Sequence, residues 1–349
     1  MRLSVLISQL FLFLILIFSE KIVMAIDKSD PSTFNHQYAT VNGIRMHYVD
    51  ENSSSKKPLL LVHGWPDLWL GWREQIPFLV ELGYRVIVPT LRGFGETDAP
   101  DSPEEYGVGV ISKDLISLMD HLEIPTVTVL AHDWGGLVAW RFAQFYRDRV
   151  LNVGSFCTPY LPVPRQYVSL EQTVQALPNF KYQLYLVTPE AEKEMNENFP
   201  AFFARIFRPI NDTVGPLIDP NTGTLVANRP VVPKSDAIPQ KVFDYYVDAY
   251  TKCGARGGLN WYKQSKNNYL QCKDLEEKLD QPALMTVATL DKALPPAMSA
   301  KMGDYIPNLE KHTVDGAGHW ILWERPTECN DILKDWLKKV YPINSSPKL

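Results

Sequence analysis

At 349 residues, 45% hydrophobic and 11% aromatic, the chain is too apolar to be disordered and long enough for one large core or a core carrying an insertion. Its net charge of −5 and the lack of a clustered basic stripe exclude nucleic acid as a natural partner and leave small neutral molecules. The N-terminus reads apart from the rest: Arg2 precedes an apolar run from Leu3 to Phe18, whose unbroken part, Leu10 to Phe18, is short for a bilayer span. Residues 1–25 therefore read as a signal peptide cleaved after Ala25, with an uncleaved signal anchor as the alternative. Either form implies the secretory pathway, giving a secreted or an ER/membrane-anchored protein that touches membrane only through this segment. Glycosylation sequons at Asn52, Asn211 and Asn344 agree with that route but recur by chance.

Tyr38 to Val49 predicts two short strands around the turn pair Asn42-Gly43. Apolar runs follow at Leu59–Val62, Tyr84–Val88, Val127–Ala131 and Val150–Phe156, separated by segments of helical spacing such as Ile111–Leu122. This alternation predicts an α/β architecture, a mostly parallel sheet flanked by helices. It breaks after Cys157-Thr158-Pro159 and resumes at Pro282–Val287. The intervening segment is too long for a structureless loop and predicts an inserted helical cap, 160–273, between two core parts, 26–159 and 274–349. A final strand around Lys311–Val314 and an amphipathic helix from Pro326 to about Val340 close the core. Cys157, Cys253, Cys272 and Cys329 form no CxxC and no metal-ligand spacing, so no metal is expected. Cys253 with Cys272 is the first disulfide to consider, and free buried thiols are the equal alternative.

The chemistry concentrates in Ala131-His132-Asp133-Trp134-Gly135-Gly136, which follows a strand and opens a helix. Small-x-nucleophile-x-small-small is the strand-to-helix elbow of an α/β-hydrolase fold. The exposed side chain is the Asp133 carboxylate, anionic at neutral pH and suited to displacement at a saturated carbon, by opening an epoxide or expelling halide. Asp291, at the end of the strand segment Val287–Leu290, and His319, in Gly316-Ala317-Gly318-His319-Trp320, follow in the chain order of that fold. A base at His319 oriented by Asp291 would activate the water that cleaves an ester on Asp133. His63-Gly64-Trp65-Pro66-Asp67 follows another strand, and the backbone N–H groups of Trp65 and Trp134 are the expected oxyanion hole, with Trp65-Pro66 a candidate cis bond.

Taken together, HGWPD, RGFGETDAP at 92–100, AHDWGG and GAGHW resemble the soluble epoxide hydrolase family across 36–340. The resemblance extends to Phe180–Tyr185 and Gly258–Tyr262, segments like those that deliver one tyrosine each over the nucleophile, and so implies Tyr182 and Tyr262 as donors to the epoxide oxygen. Phenol O–H groups suit that task, because an opening epoxide releases an alkoxide that needs hydrogen bonds and a proton. Trp69 and Trp320 are read as substrate-binding, with core packing as the plain alternative for both and for Trp72. His132 and Arg92 are read as ordering loops through hydrogen bonds. The implied substrates are water and a small apolar epoxide, lipid or aryl, with no cofactor. A haloalkane dehalogenase is the alternative, although that family holds halide with N–H donors and lacks the tyrosine pair. A fluoroacetate dehalogenase would place Arg where Trp134 stands, and a catalytically silent small-molecule receptor on the same fold is the alternative of another class.

Overall fold

The computed structural model describes residues 26–212, 214–219 and 223–341. Asn42 (φ 46°) and Gly43 (φ 81°) both take left-handed backbone, the conformation a two-residue hairpin turn requires. They join β1 (His36–Val41) to β2 (Ile44–Glu51), paired in register from His36 against Val49 to Val41 against Ile44. β3 (Pro58–Val62), β4 (Arg85–Pro89), β5 (Val127–His132) and β6 (Val150–Phe156) alternate with α1 (Ile76–Glu81), α2 (Val108–His121) and α3 (Trp134–Phe145). With β7 (Ala283–Ala288) and β8 (Leu309–Val314) they complete one sheet in the order β1-β2-β4-β3-β5-β6-β7-β8. It is parallel from β4 to β8, with β2 antiparallel to both its neighbours.

The central strands are apolar on both faces because helices cover both sides. Every residue of β5 and of β7 is buried. α2 turns Ile111, Leu115, Leu118 and Met119 inward at helical spacing. β8 is half exposed at the sheet edge, which is why the apolar pattern locates its end at Val314 better than its start.

Between β6 and β7 the described chain holds helices and no strand: α4 (Leu170–Ala176), α5 (Gln183–Leu186), α6 (Pro189–Glu197), α7 (Phe199–Ile206), α8 (Gln240–Cys253), α9 (Arg256–Asn260) and α10 (Ser265–Cys272). Phe203 of α7 packs against Tyr250 of α8 at 5.0 Å between ring centres. The buried Glu194 of α6 accepts hydrogen bonds from the backbone N–H groups of Leu225 (3.0 Å), Val226 (2.7 Å) and Ala227 (2.5 Å). One carboxylate thereby pins the long connection between α7 and α8. Burial alone would raise its pKa, and these donors hold it below the ordinary value. α11 (Ile321–Glu324) and α12 (Pro326–Val340) end the described chain, with α12 burying Cys329, Leu333, Trp336 and Leu337.

One expectation is corrected here. Among the described residues no helix is long and apolar enough to cross a membrane, so the anchoring and secretory routing inferred from the N-terminus are withdrawn. The unbroken run Leu10–Phe18 falls well short of the ~20 residues a spanning helix needs. The leader itself, residues 1–25, and the sequon at Asn344 lie outside the described residues. Of the two readings of the cysteines, the structure has the free thiols, at all four positions. The Cys253 thiol turns onto the Gly254 carbonyl (3.3 Å), while Cys272 is buried at the end of α10.

Candidate active site

Asp133 stands between β5 and α3 with φ 52° and ψ −127°, a conformation costly for a residue with a β-carbon and sustained here by close packing on every side. A β-carbon on Gly135 would lie 2.3 Å from the Val62 carbonyl oxygen, and one on Gly64 would lie 2.3 Å from Asp133 Oδ1. Only glycine lets the elbow and the loop after β3 approach this closely. The Asp133 carbonyl accepts from Gly136 N–H (2.8 Å) and from the Thr158 hydroxyl (2.6 Å), which fixes the turn.

The two carboxylate oxygens of Asp133 have different surroundings. Oδ1 accepts the Trp65 N–H at 2.8 Å, and the Trp134 amide also favours the charged form. Oδ2 faces His319 Nε2 at 3.4 Å. On its far side, His319 Nδ1 bonds Asp291 Oδ2 at 2.8 Å. Asp291 Oδ1 accepts the N–H groups of Ala293 (2.8 Å) and Leu294 (2.9 Å), so the buried acid has no unsatisfied oxygen.

Burial opposes charge on all three groups, and their mutual contacts outweigh it. Asp133 stays below its ordinary pKa through the hydrogen bond and charge of His319. Asp291 is held at about 2, again against burial, by His319 and the two backbone donors. His319 is driven well above its ordinary value, because the two carboxylates outweigh the desolvation that would lower it. The two flanking carboxylates therefore favour the protonated form of the imidazole over the neutral one.

The ring of Tyr262 sits edge-on to both loop indoles, 5.2 Å from Trp65 and 5.0 Å from Trp134 between centres. Tyr182 is 6.4 Å from Tyr262 by the same measure. Both phenols are pushed above the ordinary range, first by burial and also by the Asp133 charge. Both hydroxyls stay protonated at neutral pH, and both sense the carboxylate.

The remaining sequence candidates scatter. Trp320 lies beside His319 at 5.3 Å and donates its Nε1–H to the Ile206 carbonyl at 2.8 Å, tying the histidine loop to α7. Trp69 is corrected: it is fully buried against Phe34 (4.8 Å) and His36 (5.2 Å), with Nε1–H on the Tyr245 hydroxyl, and serves the packing of the N-terminal hairpin on α8. Trp72 is also core, packed on Phe156. Arg92 forms a buried bidentate pair with Asp114 at 2.7 and 2.8 Å, and its carbonyl accepts Trp261 Nε1–H at 3.1 Å. His132 bonds the His319 carbonyl through Nε2 at 2.8 Å. His132, Cys157 and His319 bring ligand atoms within 4.8 Å of one another, but both His319 nitrogens face carboxylates and His132 Nε2 is engaged. That arrangement is a hydrogen-bonded network, with no nitrogen of His319 free for a metal.

The sequence reading assigned no role to two contributors. His63, fully buried, bonds the Gly64 carbonyl through Nδ1 (2.8 Å) and accepts Leu91 N–H at Nε2 (3.0 Å), which fixes its tautomer and braces the loop before Trp65. Glu324 accepts the N–H groups on both sides of His319, Gly318 at 3.1 Å and Trp320 at 3.0 Å, and that of Ile210 at 3.0 Å. The only sequence signal for Glu324 was a carboxylate five positions after the histidine.

The elbow, the mostly parallel sheet and the helices that flank it define an α/β hydrolase fold. A family model described as alpha/beta hydrolase fold matches residues 57–326, and one described as epoxide hydrolase N terminus matches 27–72. Bifunctional epoxide hydrolase 2 of Mus musculus is 37% identical over 315 residues, covering 88% of this chain and 56% of the mouse protein. The chain thus spans little more than half the length of the mammalian relatives it matches. Epoxide hydrolase srdG of Neurospora crassa is 33% identical over 90% of this chain and 98% of its own length. Among solved structures, epoxide hydrolase A of Mycobacterium thermoresistibile superposes with a TM-score of 0.77 at 28% identity, covering 87% of this chain and 98% of that one. Epoxide hydrolase VrEH1 of Vigna radiata gives 0.78 at 25%, covering 89% and 99%. The chain belongs to the epoxide hydrolase family of the α/β-hydrolase fold.

Proposed function

We propose that this chain converts small apolar epoxides and water to vicinal diols through a covalent ester on Asp133. The observation that carries the reading is the division of Asp133: Oδ1 sits on a backbone N–H while Oδ2 is left facing His319. Oδ2 attacks an epoxide carbon, and Tyr182 and Tyr262 donate to the departing oxygen. His319, oriented by Asp291, then takes a proton from water, which attacks the ester carbonyl carbon; the oxyanion falls on the N–H groups of Trp65 and Trp134. The helices within 160–273 act as a cap domain that brings the two phenols over the core formed by 26–159 and 274–349. Every group this chemistry needs is a side chain or backbone amide, and it calls for no cofactor.

The charge balance closes without an outside acid. Esterification removes the negative charge of Asp133, one of the two carboxylates that hold the His319 proton. The imidazolium becomes a weaker hold for its proton as the alkoxide needs one, and the resulting neutral imidazole is the base that the next step requires. Ester hydrolysis is therefore expected to fall in acid as His319 of the alkyl-enzyme stays protonated, while ester formation, whose phenols lie above and whose carboxylate lies below their ordinary pKa values, holds constant across neutral pH. Rapid-quench single turnovers over a pH series measure both steps, and parallel pH curves would count against the assignment.

Assay of a panel of aryl and alkyl epoxides beside haloalkanes of similar size tests the activity itself. Diol from epoxides with no halide released is the expected result. Halide release without diol would make the chain a dehalogenase, and tight binding without turnover would make it a receptor.

A further inference from the structure

The loop that carries Trp65 is held by two phenols of one helix. Tyr246 and Tyr250 stand one turn apart on α8, both buried. The Tyr250 hydroxyl donates to the Pro66 carbonyl at 2.9 Å, and the Tyr246 hydroxyl donates to Asp67 Oδ1 in a short hydrogen bond. Asp67 is only 3% exposed, and the same oxygen accepts Leu68 N–H at 2.8 Å. A β-carbon on Gly71 would collide with this carboxylate, so the loop is closed around it from below. Burial raises the Asp67 carboxyl to about 6, with the Tyr246 bond, the Leu68 amide and the charge of Arg73 working the other way. Pro66 and Asp67 directly follow the residue whose N–H meets Asp133 Oδ1.

We infer that Tyr246 and Tyr250 are positioning residues for ester hydrolysis: seated on Asp67 and Pro66, they fix the Trp65 peptide so that its N–H meets the oxyanion that develops on Asp133. The inference rests on the reading of Asp133 as nucleophile. The two chemical steps ask different things of that N–H. During ester formation the carboxylate loses negative charge, so a donor on Oδ1 is worth less in the transition state than before it. During hydrolysis charge builds on the same oxygen, and the donor is worth most. A peptide released by a few tenths of an ångström therefore slows the second step and spares the first. The rings of the two tyrosines pack on Phe203 and Phe207 at 4.5–5.6 Å, so phenylalanine at either position keeps the packing and removes only the hydroxyl.

The test uses Tyr246→Phe, Tyr250→Phe and the double variant of the full chain, in rapid-quench single turnovers with an aryl epoxide that the wild type converts. Hydrolysis of the ester is expected to slow roughly ten-fold in the double variant and by a smaller factor in each single one. Ester formation should stay within about two-fold of wild type, so that alkyl-enzyme accumulates and is visible by intact mass. If the double variant does not fold, the single variants carry the same test. A lowered melting temperature with an unchanged ratio of the two rates would assign the hydroxyls to cap packing alone and overturn the inference. A wild type that converts the epoxide without forming alkyl-enzyme would instead overturn the reading of Asp133.

Discussion

His319→Gln, mixed with an epoxide that the wild type converts, is expected to stop at the alkyl-enzyme. Oδ2 of Asp133 needs no base to attack, because the carboxylate is ionised, whereas water attacking the ester does need one. Glutamine also removes the imidazolium, so the alkoxide must draw its proton from solvent through the phenols, and ester formation slows too, but by less than hydrolysis. Loss of a positioned general base typically costs 10²–10⁴-fold, and roughly that loss should fall on hydrolysis. Intact-mass analysis should show the protein heavier by one substrate. Asp291→Asn should accumulate the same species, since the amide cannot hold the charge that develops on an imidazole bonded at 2.8 Å. A variant that has lost turnover and carries no adduct would contradict this division of labour.

Tyr182→Phe with Tyr262→Phe should nearly abolish ester formation, while either substitution alone leaves partial activity. The leaving alkoxide takes hydrogen bonds from both phenols, and one lost donor to a developing oxyanion costs roughly 2.7–4 kcal/mol. One remaining phenol still supplies a proton and a hydrogen bond; with none, the alkoxide must form in a pocket walled by the rings of Trp65, Trp134 and both phenylalanines. The packing should survive, because Tyr262 makes its two edge-on indole contacts through the ring. Pre-steady-state alkylation rates for the three variants decide the matter. Full alkylation by the double variant would remove both residues from the chemistry.

How much of this site could be read from sequence follows from how far apart its parts lie along the chain. The elbow is local: one strand, one turn and one helix carry Asp133, and glycine at 135 and 136 states the close approach directly. Chain order was enough to nominate Asp291 and His319. The supports of the two key loops were not legible, because the partners are remote: Tyr246 and Tyr250 lie 179 and 184 residues from the atoms they bond, and Ile210 lies 114 from Glu324. In a segment rich in tyrosine, a hydroxyl that reaches a carbonyl in another layer has the same sequence appearance as one that faces water. Trp69 failed for a related reason. Trp65, four positions earlier, bonds Asp133, but the Trp69 side chain turns toward Phe34 and Tyr245, and a turn of 3₁₀ helix at Trp69–Trp72 presents several faces that no short motif distinguishes. The membrane expectation rested on composition alone, and among the described residues no helix is long and apolar enough to cross a membrane.

The covalent role of Asp133 is tested most directly by the origin of the new oxygen in the diol. Attack by Oδ2 and later cleavage at the acyl carbon transfer a carboxylate oxygen to the product, and water then restores the carboxylate. In a single turnover with enzyme in excess in ¹⁸O-water, the diol should carry no label while the peptide containing Asp133 gains it. Later turnovers by the same enzyme should release labelled diol. If the first diol formed is already labelled and the Asp133 peptide is not, water opens the epoxide directly and Asp133 acts as a general base, contrary to the mechanism proposed.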